Sequence, residues 1–90
     1  MALQWPPKDP NEVLDYAVNW ASRLGADTIA TSSFTVPSGI VKDSETSASQ
    51  TATIWLSGGV EGQKYSILNR ITTVGGRTMD QTVKIKIKSK

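Results

Sequence analysis

Two neighbouring runs decide the fold: Lys64-Tyr-Ser-Ile-Leu-Asn-Arg-Ile-Thr-Thr-Val74 and Thr78-Met-Asp-Gln-Thr-Val-Lys-Ile-Lys-Ile-Lys88, joined by Gly75-Gly76-Arg77. In the second run Val83, Ile85 and Ile87 alternate with Thr82, Lys84, Lys86 and Lys88. A period of two is that of a strand with one buried face and one wet face. In the first run Tyr65, Ile67, Asn69 and Ile71 share one face. The Gly75-Gly76 pair between them predicts a two-residue hairpin. The lysines on the wet face of the last strand suit an edge strand that must not pair with other chains.

The same punctuation continues upstream. Thr51-Ala-Thr-Ile-Trp-Leu56 predicts a strand, followed by Ser57-Gly58-Gly59 and Gly62, whose backbone freedom suits tight connections. The polar run Lys42-Asp-Ser-Glu-Thr-Ser-Ala-Ser-Gln50 is expected to be a mobile loop, with Ile40-Val41 a short strand before it. Residues 27–37 are rich in β-branched side chains and end at Pro37-Ser38-Gly39. Ile29 has the opposite parity from Phe34 and Val36, so a bulge is expected between them. In the segment 13–24, Leu14, Tyr16, Val18 and Trp20 alternate with polar or small residues, although a helical stripe capped by Asn11 also fits. With β patterns everywhere downstream, a strand over 13–20 and a turn over 21–26 is the better reading. Residues 1–12 hold Trp5 and three of the four prolines, and read as an extended arm before a domain spanning 13–90. Six or seven short strands without strand–helix alternation predict an all-β fold, an antiparallel β-sandwich.

Composition narrows the function. The 90 residues contain no Cys and no His. Disulfides, Cys/His zinc sites and Ser-His-Asp or Cys-His catalysis are thereby excluded. No apolar run exceeds three residues, so no segment resembles a membrane-spanning helix, and Met-Ala-Leu-Gln-Trp-Pro-Pro lacks the features of a signal peptide. Charge is uneven. Residues 1–50 carry three bases against six acids, a net of −3, and residues 51–90 carry seven bases against two acids, a net of +5. The basic segment after Tyr65 has no aromatic residue, which argues against a single-strand nucleic-acid platform.

Ser57-Gly-Gly-Val-Glu-Gly-Gln-Lys64 lacks the glycine before the lysine, the Ser/Thr after it and the helix of a phosphate loop. It reads as a glycine-rich connection. The carboxylates Asp9, Glu12, Asp15, Asp27, Asp43, Glu45, Glu61 and Asp80 are scattered, without a glycosidase pair or a dense calcium-ligand pattern. Asp27, at a strand start, suits turn bonding. Arg77 is either a solvated turn residue or the partner of an acid at the same end of the sandwich or on another protein. Trp5, in the arm, is a candidate exposed contact. Tyr65 stands where immunoglobulin-like sandwiches carry a tyrosine whose hydroxyl bonds back to the preceding loop. Trp55 takes the place of their core tryptophan, although either it or the pair Ile54 and Leu56 must face outward.

Three segments together resemble a family of small proteins from the structural modules of tailed bacteriophages, the phage fiber–tail adaptor-like family. They are Val13-Leu-Asp-Tyr-Ala-Val-Asn-Trp20, Asp27-Thr-Ile-Ala30, and Trp55-Leu-Ser-Gly-Gly59 followed by Gly62, Tyr65, Asn69 and Thr72-Thr-Val-Gly-Gly-Arg-Thr78. The resemblance implies an immunoglobulin-like sandwich without enzymatic activity or cofactor. It implies a virion component made in the bacterial host cytoplasm that contacts tail, neck or fiber proteins, and a homo-oligomer in the particle is compatible with it. Trp20, Asp27, Trp55, Gly58, Gly59, Tyr65 and Gly76 are expected to maintain the fold. Trp5, Arg77, Lys84, Lys86 and Lys88 are the candidate interface residues. Two other classes compete: a carbohydrate- or surface-binding module with an exposed aromatic platform, and a nucleic-acid-binding β domain using Lys84, Lys86 and Lys88.

Overall fold

The computed structural model describes residues 3–89. Met1, Ala2 and Lys90, at the ends of the expected arm and domain, lie outside the described residues. The chain forms β1 (Leu3–Gln4), β2 (Leu14–Asn19), one helical turn α1 (Ala21–Leu24), β3 (Ile29–Thr35), β4 (Ile40–Ser47), β5 (Thr51–Gly58), β6 (Lys64–Thr73) and β7 (Thr78–Lys86). They make two sheets, a four-stranded one in the order β1-β7-β6-β3 and a three-stranded one in the order β2-β5-β4. All pairings are antiparallel except that of β1 with β7, which is parallel.

The alternation in the last two runs carries directly into packing. β6 buries Tyr65, Ile67, Asn69 and Ile71, and β7 buries Val83 and Ile85, with Ile87 just beyond it. Across the core lie Val18, Ile54 and Leu56 from the three-stranded sheet and Trp20 just after β2. Burying one such aliphatic side chain contributes roughly 1.5–3 kcal/mol, so this double layer dominates the stability of a chain without cross-links. A polar link crosses the apolar interior. Trp20 Nε1 donates to Asn69 Oδ1 at 2.8 Å, and Asn69 Nδ2 donates to Ser32 Oγ and the Ser33 carbonyl, each at 3.0 Å. A buried amide with its hydrogen bonds satisfied fixes how the layers are aligned, where an unsatisfied one would be costly.

Residues 13–24 follow the strand reading, with the helical turn confined to 21–24. The bulge expected near Ile29 appears as a register shift between Ile29 and Thr31.

Three expectations are corrected. The segment 42–50 is mostly strand: β4 continues to Ser47, and the reversal into β5 is closed by the Ala48 N–H on the Thr51 carbonyl at 2.8 Å. An edge strand with one solvated face needs no apolar alternation, because backbone bonds to β5 hold it. The β6–β7 reversal is not a two-residue hairpin. Thr73 and Arg77 face each other, the Gly76 N–H bonds to the Thr73 carbonyl, and only Gly76 of the two glycines has a positive φ (+90°). Finally, β7 is not an edge, because the N-terminal segment covers it. The Trp5 N–H reaches the Lys84 carbonyl at 2.9 Å, Lys8 N–H reaches Lys86 at 3.0 Å, and Lys88 N–H returns to Lys8 at 2.8 Å.

Candidate interaction surface

At one end of the sandwich, Asp27 gathers the β6–β7 turn. Its carboxylate accepts from the Thr28 and Gly75 N–H groups (2.9 and 3.0 Å) and from Arg77 Nε and Nη2 (3.2 and 3.1 Å). The Thr73 hydroxyl and then the Thr28 N–H lower its pKa to about 2, against an opposing desolvation that outweighs the further help from either Gly75 or Arg77. Arg77 also donates to the Leu24 carbonyl at 3.0 Å. Of the two roles open for Arg77 in the sequence, the geometry is that of a bridge within the chain. A side chain at Gly75 would meet Asp27 Oδ2 at 2.8 Å, so this close approach requires glycine.

At the other end, the Tyr65 hydroxyl accepts from the Val60 N–H at 3.1 Å, and a side chain at Gly39 would run into that hydroxyl. Gly59 (φ +98°) lies against Ile87, whose side chain stands 2.7 Å from where a Cβ would be. Gly58 offers its carbonyl to Lys8 Nζ at 2.7 Å, and the same ammonium donates to the Asp9 carbonyl at 2.9 Å. Lys8 is fully buried. Nothing in its sequence surroundings signals this, because lysines are almost never interior unless their donors are engaged.

Trp5 is not an exposed contact. It is 8% exposed, stacks on Tyr16 with ring centroids 4.9 Å apart, and donates from Nε1 to the Ala17 carbonyl at 3.1 Å. It seals the gap between the free edge of β2 and the β7 side of the other sheet. Trp55 is corrected in the opposite direction. Ile54 and Leu56 take the core, and Trp55 stands on the outer face of β5, 41% exposed. Two aliphatic side chains bury where one indole would have left both of them in water. Trp20 is buried, with Arg23 stacked over its ring at 4.8 Å.

The outer faces of the two sheets differ in charge. On the four-stranded sheet Lys64 and Lys86 are direct cross-strand partners, and Lys84 lies opposite Ser66. Lys88 continues the row. The one acid of β6 and β7, Asp80, is engaged by Arg70 through Nε and Nη2 at 2.8 and 3.0 Å. On the three-stranded sheet Trp55 lies between Asp15 on β2 and Ser44 on β4, and Ser57 donates to Asp43 at 3.1 Å. Val13 and Val41 are exposed at the same end. Strand parity in the sequence could have turned Lys64 and Asp15 outward, but their places beside Lys86 and Trp55 come from the registers of β6 with β7 and of β2 with β5. The bulge at Lys42/Ser44 hid the position of Asp43.

Among known proteins, the family model described as podophage GP4 fiber-tail adaptor protein gp77 matches residues 8–86. No curated protein matches the chain.

Proposed function

The chain belongs to the podophage GP4 fiber-tail adaptor protein gp77 family, a family of phage tail structural proteins, and from that premise we propose that it is a non-enzymatic virion module. It joins tail, neck or fiber proteins through its surfaces and carries out no chemical step. It is synthesised in the host cytoplasm and incorporated during particle assembly. The observation that carries this reading is the extent of the family match, nearly the whole chain.

The fold reading within this proposal is immunoglobulin-like. The orders β2-β5-β4 and β3-β6-β7 correspond to strands B-E-D and C-F-G of that fold, and the Tyr65 hydroxyl bonded to Val60 corresponds to its tyrosine corner. In that correspondence Trp55 falls on the E strand, and the buried aromatic of the C strand is Phe34. A carbohydrate-binding module would need an aromatic platform, but burial of Trp5 and Trp20 leaves Trp55 alone on the surface.

Mass spectrometry of purified phage particles, followed by capture of the particle's tail, neck and fiber proteins on the immobilised chain, tests the proposal. Presence in the particle and capture of one of these proteins is expected. A chain missing from particles, or one that captures none of them, overturns it.

A further inference from the structure

We propose that the outer face of the three-stranded sheet binds the lysine-bearing outer face of the four-stranded sheet of a second copy of this chain. The inference rests on the reading of the chain as a contact-making virion module. β5 is the central strand of the first face and presents Trp55 beside Asp15, with Asp43 bonded to Ser57 two residues along the strand and with exposed Val13 and Val41 at the same end. The one base in β2, β4 and β5 is Lys42, which is committed to Glu45 at 2.6 Å and to the Phe34 carbonyl at 3.0 Å. The face therefore carries an indole beside Asp15 and a second carboxylate at Ser57, with no cation of β2, β4 or β5 left to satisfy them.

The second face has the complementary deficit. Lys64 and Lys86 oppose each other directly, an arrangement that destabilises a sheet unless an anion is brought in. Asp80 is taken by Arg70. Lysine stems cover apolar surface while their ammonium groups seek charge, and an ammonium is attracted to an indole face. Trp55 paired with Asp15, with Asp43 at Ser57 two residues along the same strand, offers both partners on one face.

The two patches are different, so the contact is head-to-tail. Each added copy leaves one face of each kind free, and the series ends by closing into a ring or continues as a file. Strands of six, eight and eight residues present a face of at most about 14 by 26 Å. That is well below the ~800 Å² per partner of a standard interface, so a single contact is weak and sensitive to salt.

Sedimentation velocity of the full chain, from micromolar to millimolar concentration at low and high salt, tests this. Association that grows with concentration and is lost at high salt is expected. Two variants separate the faces: Asp15→Ser with Trp55→Ser, and Lys64→Ser with Lys86→Ser. Asp15, Trp55 and Lys64 are exposed and Lys86 is half-buried on the outer face, and thermal unfolding verifies that each variant is folded. Each variant alone stays monomeric, and the mixture forms a one-to-one pair that stops at two. A wild-type chain that stays monomeric at low salt overturns the inference, as does either variant associating like the wild type, or a mixture that remains monomeric or grows past two. A monomeric chain that still captures a tail protein sinks the self-contact and leaves the adaptor reading standing. Self-association by a chain missing from particles does the reverse.

Discussion

Replacing Trp5 by Ala removes the side chain that fastens the N-terminal segment to the sandwich. The indole is buried, stacked on Tyr16 and hydrogen-bonded to the Ala17 carbonyl. Truncating a buried tryptophan to alanine costs about 3–5 kcal/mol. The site lies at the margin of the core and the segment can move away, so the lower end, about 3 kcal/mol, applies. At about 4–8 °C per kcal/mol for a domain of this size, the melting temperature falls by about 12–24 °C. A second readout separates loss of packing from loss of docking. Lys8 is buried and its N–H is bonded to the Lys86 carbonyl, so the wild-type chain resists trypsin after Lys8, while the variant is cut there before it unfolds globally. Differential scanning calorimetry and timed digestion followed by mass spectrometry give both quantities. A melting shift below about 4 °C, which is below about 1 kcal/mol, together with continued protection of Lys8, would refute the idea that this tryptophan holds the segment in place.

Other expectations follow from single contacts. Tyr65→Phe deletes the acceptor of the Val60 N–H and lowers stability by about 1 kcal/mol in denaturant unfolding, with an unchanged m-value. Asp27 is ionised in the native state down to about pH 2, against an ordinary value of 3.8. Because the folded-state value is the lower one, its contribution is complete above the ordinary value and is lost as pH falls from about 4 towards 2. Asp27→Asn should flatten that part of the stability–pH curve measured by chemical denaturation, and an unchanged acid limb would contradict the assignment. Gly59→Ala combines a positive φ with a Cβ 2.7 Å from Ile87, and is expected to cost about 2 kcal/mol by thermal melting. Trp55→Thr keeps a strand-forming residue at a solvent-facing position and should change stability by less than about 1 kcal/mol.

The strands that were legible in the sequence are those whose two faces differ. Tyr65, Ile67, Asn69 and Ile71 against Val83, Ile85 and Ile87 gave the β6–β7 pair its faces before any coordinates. β4 carried no such signal. Its only apolar residues are Ile40, buried, and Val41, exposed, with polar residues from there to Ser47, and its partner is chosen by backbone groups that every sequence has. The β6–β7 turn was visible as a glycine pair, but its geometry also involves Asp27, in the segment before β3, which Arg77 and the Gly75 N–H reach. Trp55 was misplaced because parity allows two solutions, and the total apolar area buried by its neighbours decides between them. The surface faces were half legible. The lysine row was written in the period of β7, but its extension to Lys64 required the register with β6. Burial of Lys8 was not legible at all. It depends on a carbonyl of Gly58, fifty residues away, being left free to receive an ammonium.

The parallel pairing of β1 with β7 also governs how the molecule meets mechanical load. Because the two strands run in the same direction, a pull on the amino end and an opposite pull on the carboxyl end slide them lengthwise past each other. The bonds from Trp5 to Lys84, from Lys8 to Lys86 and from Lys88 to Lys8 then bear the force together instead of parting in sequence like a zip. Traction along the chain is therefore met by the whole seam, while a peeling force applied sideways at Leu3 meets one bond at a time.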